Sequence, residues 1–188
     1  MQLVSTSALV LLCVAVEVST PGRGQIPDQS QRVVVQGTYR NADYGFSVAV
    51  PRRLRAYAAK PPAPQHGFAL DLSKGGKIWV DAEYDVMLEG STDLLSTNAA
   101  KFFSLSNGLK ITRNLSMEVE GFPARETVLE GANSKSLNNY VHFLIILRPV
   151  PKEVGVVYTI GLSGKAWNAG DEKTFWKIVN SIRFLDVR

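Results

Sequence analysis

Three carboxylates on one predicted β-hairpin are the residues whose type and spacing best suit chemistry in this sequence. Asp71 ends the first strand, and Asp81 and Glu83 alternate along the second. Because side chains alternate between the faces of a strand, all three are predicted to point to one side. Clustered carboxylates can hold Ca²⁺, which takes about six to eight oxygen ligands, or act as a general acid and base. A solvated sheet face, shared with Ala69 and Trp79, is the alternative.

The register of that hairpin decides which side chains share a face. Two apolar segments, 68–72 and 78–84, flank a turn that contains two glycines. A loop of three residues is preferred to a turn of only Gly75 and Gly76, which would place Leu70 opposite Asp81. The preferred loop gathers the aliphatic side chains on one face, and its expected pairs are Leu72 with Ile78, Leu70 with Val80 and Phe68 with Ala82.

A small basic cluster lies in the segment 52–67, which has no regular period and contains three prolines. The cluster consists of Arg52, Arg53, Arg55, Tyr57 and Lys60. A loop of this length in a compact domain is typically functional or mobile. Such a cluster can contact an anionic surface, and a solvated loop is the alternative. The net charge of +4 is small, so a nucleic-acid partner is not expected.

Other catalytic and metal-binding motifs are missing from the sequence. Ser163 resembles the serine of a nucleophile elbow, but Lys165 replaces the final glycine of that motif. The two histidines, His66 and His142, are far apart; His66 falls in the predicted loop, and His142 is expected to be a hydrogen-bonded core or edge residue. The single cysteine, Cys13, makes neither an internal disulfide nor a multi-thiolate zinc site. We therefore expect no cofactor and assign no catalytic residue.

Residues 1–24 are predicted to be a signal peptide. The apolar run Ala8–Val16 is nine residues long, whereas a membrane-spanning helix needs about 20. Small and helix-breaking residues follow it, and cleavage after Gly24 is expected. Leu12 precedes Cys13 where a lipoprotein signal needs a small residue, so a secreted or periplasmic protein without a lipid anchor is predicted. A buried N-terminal strand or helix is the alternative.

The remainder of the chain is predicted to be one α+β domain, residues 37–188, after a linker of residues 25–36 in which Val33–Val35 could begin a strand. Apolar residues make up 45% and charged residues 20% of the chain, which excludes a disordered or collagen-like protein. Short connections predict an antiparallel sheet, flanked by amphipathic helices near residues 92–105 and 171–183. The strands Tyr140–Leu147 and Val154–Leu162 are apolar on both sides, so they are expected to be central.

Two segments of the sequence resemble the PsbP-like family, named for the extrinsic P subunit of photosystem II. Tyr39–Pro51 is similar to the opening hairpin of that family, and Phe175–Phe184 is similar to its last helix. The same fold occurs in a Ran-binding nuclear protein and in envelope proteins of the DcrB/PsbP type. The resemblance implies a central antiparallel sheet flanked by helices, an α/β/α sandwich. It also implies a binding or assembly role without catalysis.

Together these observations predict an exported, non-enzymatic binding or assembly module of the cell envelope. It is expected to be a monomer whose partner is an envelope protein or an anionic surface. Two alternatives use the carboxylate face of Asp71, Asp81 and Glu83. One is a small envelope hydrolase, and the other is a protein that binds Ca²⁺ or a small ligand.

Overall fold

The computed structural model describes residues 32–59, 66–86, 89–131, 138–150 and 154–186. The predicted signal peptide, with Cys13, lies outside the described residues, as do residues 25–31 of the predicted linker and Lys60. Within the described ranges, no helix is long and apolar enough to cross a membrane.

Along the described chain, a run of strands is followed by a helix, a second run of strands, a second helix and a short last strand. The two helices are α1, Thr92–Asn107, and α2, Ala169–Val179. The strands within the described ranges are β1 Arg32–Val35, β2 Thr38–Asn41, β3 Phe46–Ala49, β4 Ala56–Ala59, β5 Phe68–Asp71, β6 Lys77–Tyr84, β7 Lys110–Val119, β8 Phe122–Glu130, β9 Tyr140–Arg148, β10 Val156–Gly164 and β11 Arg183–Phe184.

Eight of these strands form one antiparallel sheet in the order β1-β4-β5-β6-β10-β9-β8-β7, and three form a small sheet in the order β11-β3-β2. The strands β9 and β10 are central, as predicted. On one face α1 packs into a core that contains Trp79, Phe103 and Phe143, here called the α1-side core. On the other face α2 and the small sheet pack into a second core, the α2-side core. The predicted α+β class and its layered α/β/α arrangement are confirmed.

The two helices begin and end through local hydrogen bonds. Ser91 caps α1, because its hydroxyl accepts from the amide of Asp93 at 3.3 Å. Gly108 ends α1 in the left-handed region, with φ of 66°. The sequence favours a cap of α2 at Gly170 and Asp171, but the cap is Asn168, whose side-chain oxygen accepts from the amides of both residues.

The register predicted for the β5–β6 hairpin is wrong by two residues. Leu70 pairs with Ile78 and Phe68 pairs with Val80. The loop has the expected three residues but lies one residue earlier in the chain, at 73–75, since the amide of Leu72 donates to the carbonyl of Gly76 at 2.7 Å. Because a shift of two residues leaves each side chain on its own face, the aliphatic side chains still share one face and enter the α2-side core.

One segment predicted to be an irregular loop forms a strand, since Ala56–Ala59 is β4. Arg32–Val35 forms β1, in agreement with the expectation that Val33–Val35 could begin a strand in the predicted linker. These strands pair with each other, and β4 also pairs with β5. The sequence of β4 lacks an apolar and polar alternation, so its strand conformation depends on the edge that β5 offers.

The small sheet is fixed to the large sheet by aromatic side chains. The hydroxyl of Tyr158, on β10, donates to the carbonyl of Tyr44 at 2.6 Å. The ring of Tyr158 lies 5.4 Å from Phe46 and 4.9 Å from Phe184, between centroids. The two segments that carry the family resemblance therefore pack against each other and against β10.

Close packing at Gly161 yields a test of the α1-side core. Gly161 is paired with Trp79 across β10 and β6, and a Cβ atom there would overlap the indole ring. We expect Gly161→Ala to lower the free energy of unfolding by about 2 kcal/mol, since overpacking a buried core forces atoms apart. Urea denaturation measures this change.

Gly164→Ala is the matched control on the same strand. A Cβ atom at Gly164 would have its nearest neighbour at 3.6 Å, an ordinary contact. Equal urea midpoints for the two variants would contradict the contact between Gly161 and Trp79.

Candidate functional site

A groove of about 480 Å³ lies between the β5–β6 turn and the first turn of α2, on the α2 side of the sheet. Leu54 and Leu72 supply its apolar surface, and Lys74 and Asp171 supply its charges. The other lining residues are Ser73, Asn168, Ala169, Gly170 and Thr174. The groove therefore combines an apolar patch with polar and charged groups, as ligand sites commonly do.

The three arginines of the predicted basic cluster lie next to Leu54 of this groove in the chain. Arg52, Arg53 and Arg55 are exposed and flank Leu54, whose side chain lines the groove and packs on the α2-side core. Within the described parts of the chain, none of the three forms an ion pair with a carboxylate. We call Arg52, Arg53, Arg55 and Lys74 the basic rim.

Two other residues of the predicted basic cluster do not belong to the rim. Tyr57 lies on β4 next to Ala56, whose side chain is buried in the α2-side core. Since neighbouring side chains on a strand point to opposite faces, Tyr57 lies on the α1 side of the sheet. Lys60 lies outside the described residues. Lys74, which sequence analysis did not assign to the site, joins the rim because the hairpin turn carries it to the groove.

The first turn of α2 contributes a positive dipole to the groove. The side-chain oxygen of Asn168 accepts from the amides of Gly170 and Asp171 at 3.0 and 3.2 Å. The cap thus occupies two of the amides that a helix N-terminus leaves unpaired. These amides are therefore not free to bind an anion, and Asp171 adds a negative charge to the lining of the groove.

The structure places Asp71 apart from Asp81 and Glu83, which are neighbours on one face of β6. Asp71 is exposed and pairs in register with Lys77, four residues, or about 13 Å, from Asp81 along the strand. Asp81 is buried, and its Oδ1 accepts from the amides of His66 at 2.8 Å and Ala82 at 3.0 Å. Among the described residues, no three His, Cys, Asp or Glu side chains are grouped to hold a metal ion.

Glu83 is the carboxylate of this face with a strongly altered acidity. Burial, and then the charges of Asp81, Asp85 and Glu89, raise the pKa of Glu83 to about 7. Asp85 is held in place by the amides of Glu89 and Gly90, which donate to its two oxygens at 3.0 and 2.9 Å. Glu83 can therefore exchange a proton near neutral pH.

His66, predicted to lie in the long loop, has several fixed contacts. Its ring centroid is 4.5 Å from that of Tyr44, which in turn lies 5.0 Å from the ring of Tyr84. Nδ1 of His66 lies 3.0 Å from the carbonyl oxygen of Ala82. These contacts attach the start of β5 to the β2–β3 hairpin.

A cluster of charged groups surrounds His142, which is buried, as predicted for a core residue. Its Nε2 lies 2.8 Å from Oε1 of Glu126, and its Nδ1 lies 3.9 Å from Oε1 of Glu172. Arg113 places Nη2 at 2.8 Å from Glu126 and 3.4 Å from Glu172. Neither nitrogen of His142 has an aligned hydrogen bond within the described residues. We call Arg113, Glu126, His142 and Glu172 the buried charge cluster.

Burial shifts the acidity of the central pair in opposite directions. Burial, and then the charge of Arg113, lower the pKa of His142 to about 4, while the charge of Glu172 opposes them. Burial raises the pKa of Glu126, against the charge of Arg113. Sequence analysis missed this cluster because its members come from β7, β8, β9 and α2, and no local motif joins them.

Comparisons with known proteins address the fold alone. No family model and no curated protein matches the chain. Among solved structures, cyanobacterial PsbP (CyanoP) of Synechocystis matches with a TM-score of 0.55 at 10% identity, over 89% of this chain and 98% of that chain. This chain has a PsbP-like fold. The predicted resemblance is confirmed at the level of fold.

A second solved structure, from Bacteroides thetaiotaomicron, matches with a TM-score of 0.48 at 8% identity. It covers 81% of this chain and 50% of that one, so this chain spans about half the length of that protein.

Replacing Glu83 by glutamine tests the raised pKa of this carboxylate. Because the pKa of Glu83 is raised from 4.5 to about 7 in the folded protein, its ionisation costs stability as pH rises through that range. Glu83→Gln is expected to increase the free energy of unfolding by about 1–2 kcal/mol near pH 8 and to change it little near pH 4.5. Urea denaturation at the two pH values checks this. Asp71→Asn, at an exposed position of the same hairpin, should show no such difference.

The pKa of His142 can be measured directly, because the chain contains only two histidines. In His66→Gln one imidazole is left, and NMR is expected to show its titration near pH 4 rather than near 6.5. Because folding lowers the pKa of His142, the unfolded protein takes up the proton first as pH falls. The free energy of unfolding is therefore expected to be unaffected by His142 above pH 6.5 and to decrease by up to about 3 kcal/mol as pH falls toward 4. A titration midpoint near 6.5 would show that the imidazole is not buried as described.

Proposed function

We propose that this protein is an exported, non-enzymatic binding module of the cell envelope that holds an acidic segment of a partner protein in the groove beside α2. The observation that carries the proposal is the basic rim, in which Arg52, Arg53 and Arg55 lack carboxylate partners among the described residues. Unpaired arginines beside a concave, partly apolar groove suit recognition of carboxylates, because guanidinium binds them with two hydrogen bonds.

The shape of the groove favours a protein segment over a membrane. A planar lipid surface contacts protruding side chains, whereas the apolar residues here, Leu54 and Leu72, lie within a recess. An extended acidic segment can place its backbone in this recess and its carboxylates on the basic rim. The PsbP-like fold supports a binding role of this kind.

The alternative functions of the carboxylate face have less support. Asp71 is distant from Asp81 along the hairpin, and Oδ1 of Asp81 already accepts two amide hydrogen bonds. Acid–base catalysis needs two groups with separated pKa values, and a Ca²⁺ site needs about six oxygen ligands. Glu83 alone meets neither requirement, so we favour the binding role.

Neutralising the rim tests the proposed function. The triple variant Arg52→Gln, Arg53→Gln, Arg55→Gln is expected to weaken binding of a fluorescent glutamate-rich peptide about tenfold. The loss corresponds to three exposed ion pairs of roughly 0.5 kcal/mol each. Fluorescence anisotropy at low and high salt measures it, and salt should remove most of the difference.

The matched control removes the same charge elsewhere, through Lys101→Gln, Lys110→Gln, Lys177→Gln at exposed positions. An equal loss in this control would overturn the rim as a specific site. Vesicles of phosphatidylcholine with phosphatidylglycerol form the second arm of the experiment. Binding to these vesicles that depends on the rim, without binding to the peptide, would overturn the partner protein in favour of a membrane.

A further inference from the structure

The strand β7 forms one edge of the large sheet, so within the described residues only β8 pairs with it. It is ten residues long, whereas the strand at the opposite edge, β1, has four. Most side chains of β7 are exposed, and Leu115 is 52% exposed. An uncovered edge of this length offers a row of free N–H and C=O groups to another strand.

The turn between β7 and β8 determines which residues of β7 carry the free groups. Glu120 and Gly121 have φ of 51° and 81° and form a two-residue turn, which pairs Val119 with Phe122. The closing pair of such a turn is hydrogen-bonded, and bonded pairs then alternate with non-bonded pairs along an antiparallel ladder. Pro123, which has no N–H, accordingly falls in the non-bonded pair that follows.

Three residues of β7 therefore direct their backbone N–H and C=O groups away from β8, and these are Asn114, Ser116 and Glu118. The segment 114–118 is regular, because the bulge between Ile111 and Arg113 lies before it. It also contains no proline and no lysine, the residues that commonly protect the edge of a sheet. This segment is thus the part of the edge that can pair with another strand.

A two-fold axis at Ser116 pairs all three outward residues with those of a second copy of the chain. In this register Ser116 exchanges two hydrogen bonds with Ser116 of the second copy, and Asn114 exchanges two with Glu118. Moving the axis by one residue would place Glu118 opposite the bulge or Asn114 opposite the β7–β8 turn. The edge is therefore complementary to itself in this register.

Side chains across the two-fold contact also complement each other. On the α2 side, Leu115 faces Met117 of the second copy, so the exposed leucine gains an apolar neighbour. On the α1 side, Glu118 faces Asn114, whose side-chain oxygen accepts from Nε of Arg125 at 2.6 Å. The carboxylate of one copy therefore approaches the guanidinium of the other, and no like charges are directly opposite within 114–118.

We propose that this protein forms a symmetric dimer through residues 114–118 of β7, which joins two copies into one continuous antiparallel sheet. A contact that uses the same strand in both copies is closed, whereas pairing of β7 with the other edge, β1, would continue into a filament. The contact is small, so dimer and monomer are expected to exchange. The sequence predicts a monomer, whereas the uncovered edge of β7 favours the dimer.

The dimer leaves the groove beside α2 accessible. In the order of the sheet, β7 is four strands from β6, a distance of about 19 Å. Each dimer therefore presents two grooves. Neither the contact between the copies nor its test depends on what the groove binds.

Sedimentation velocity from about 1 μM to about 1 mM tests the dimer, and the wild-type protein is expected to sediment faster as its concentration rises. Ser116→Pro removes an outward N–H but no hydrogen bond to β8, so it should weaken the dimer at least about tenfold. Ser116→Ala, the matched control, loses the hydroxyl and keeps the N–H, so it should dimerise as the wild type does. A wild-type protein that stays monomeric throughout, or equal association of the two variants, would overturn the proposal.

Hydrogen exchange identifies the segment that pairs. The outward amides of Asn114, Ser116 and Glu118 are expected to exchange rapidly in dilute protein and to become protected as the concentration rises. The amides of Leu115 and Met117, which bond to β8, should be protected at both concentrations. Protection of the outward amides in a monomer would show that another segment of the chain covers the edge, and would reject the dimer.

A charge reversal tests the side-chain pairing and remains decisive if Ser116→Pro does not fold. Glu118→Lys should weaken the dimer about tenfold, because it replaces attraction to Arg125 of the second copy by repulsion at two symmetric sites. Glu130→Lys, the matched control, makes the same change at an exposed position of the same hairpin outside the contact. Equal dissociation constants for the two variants would contradict the proposed register.

Discussion

The requirement that β9 and β10 be buried on both faces determines most of this structure. Every side chain from Tyr140 to Leu147 is buried, so each face of the sheet needs its own cover. The helix α1 covers one face through Phe103, and α2 with the small sheet covers the other through Phe175 and its neighbours. Strands that are apolar on both sides are stable in water only within such a layered arrangement. The strands toward the β1 edge of the sheet, β5, β4 and β1, are shorter than β9 and β10.

The cover on the α2 side also creates both candidate sites. Docking of α2 against the β5–β6 turn leaves the groove beside its first turn, and the same turn places Glu172 above His142. The basic rim lies on this side of the sheet, while Asp81 and Glu83 lie on the face of Trp79.

Local sequence patterns were sufficient for the helices and central strands. The hydroxyl of Ser91 and the flexibility of Gly108 define α1 within a few residues, so that helix could be predicted closely. Local patterns were insufficient for β4. Its sequence has no strand periodicity, and it forms a strand because β5 offers an unpaired edge. The hairpin register failed for a different reason. Three-residue loops at 73–75 and at 74–76 give the same distribution of side chains between the faces, so the apolar pattern could not distinguish them.

The sequence by itself determined the apolar character of the central strands, the two amphipathic helices, the resemblance to the PsbP-like fold and the position of three arginines in one short segment. Each of these depends on residues close together in the chain. The tertiary structure alone decided that Asp71 lies apart from Asp81, that Lys74 joins the arginines, and that residues from four elements surround His142. Such contacts depend on how separate elements pack, and the packing is fixed by burial of the whole sheet rather than by any local motif.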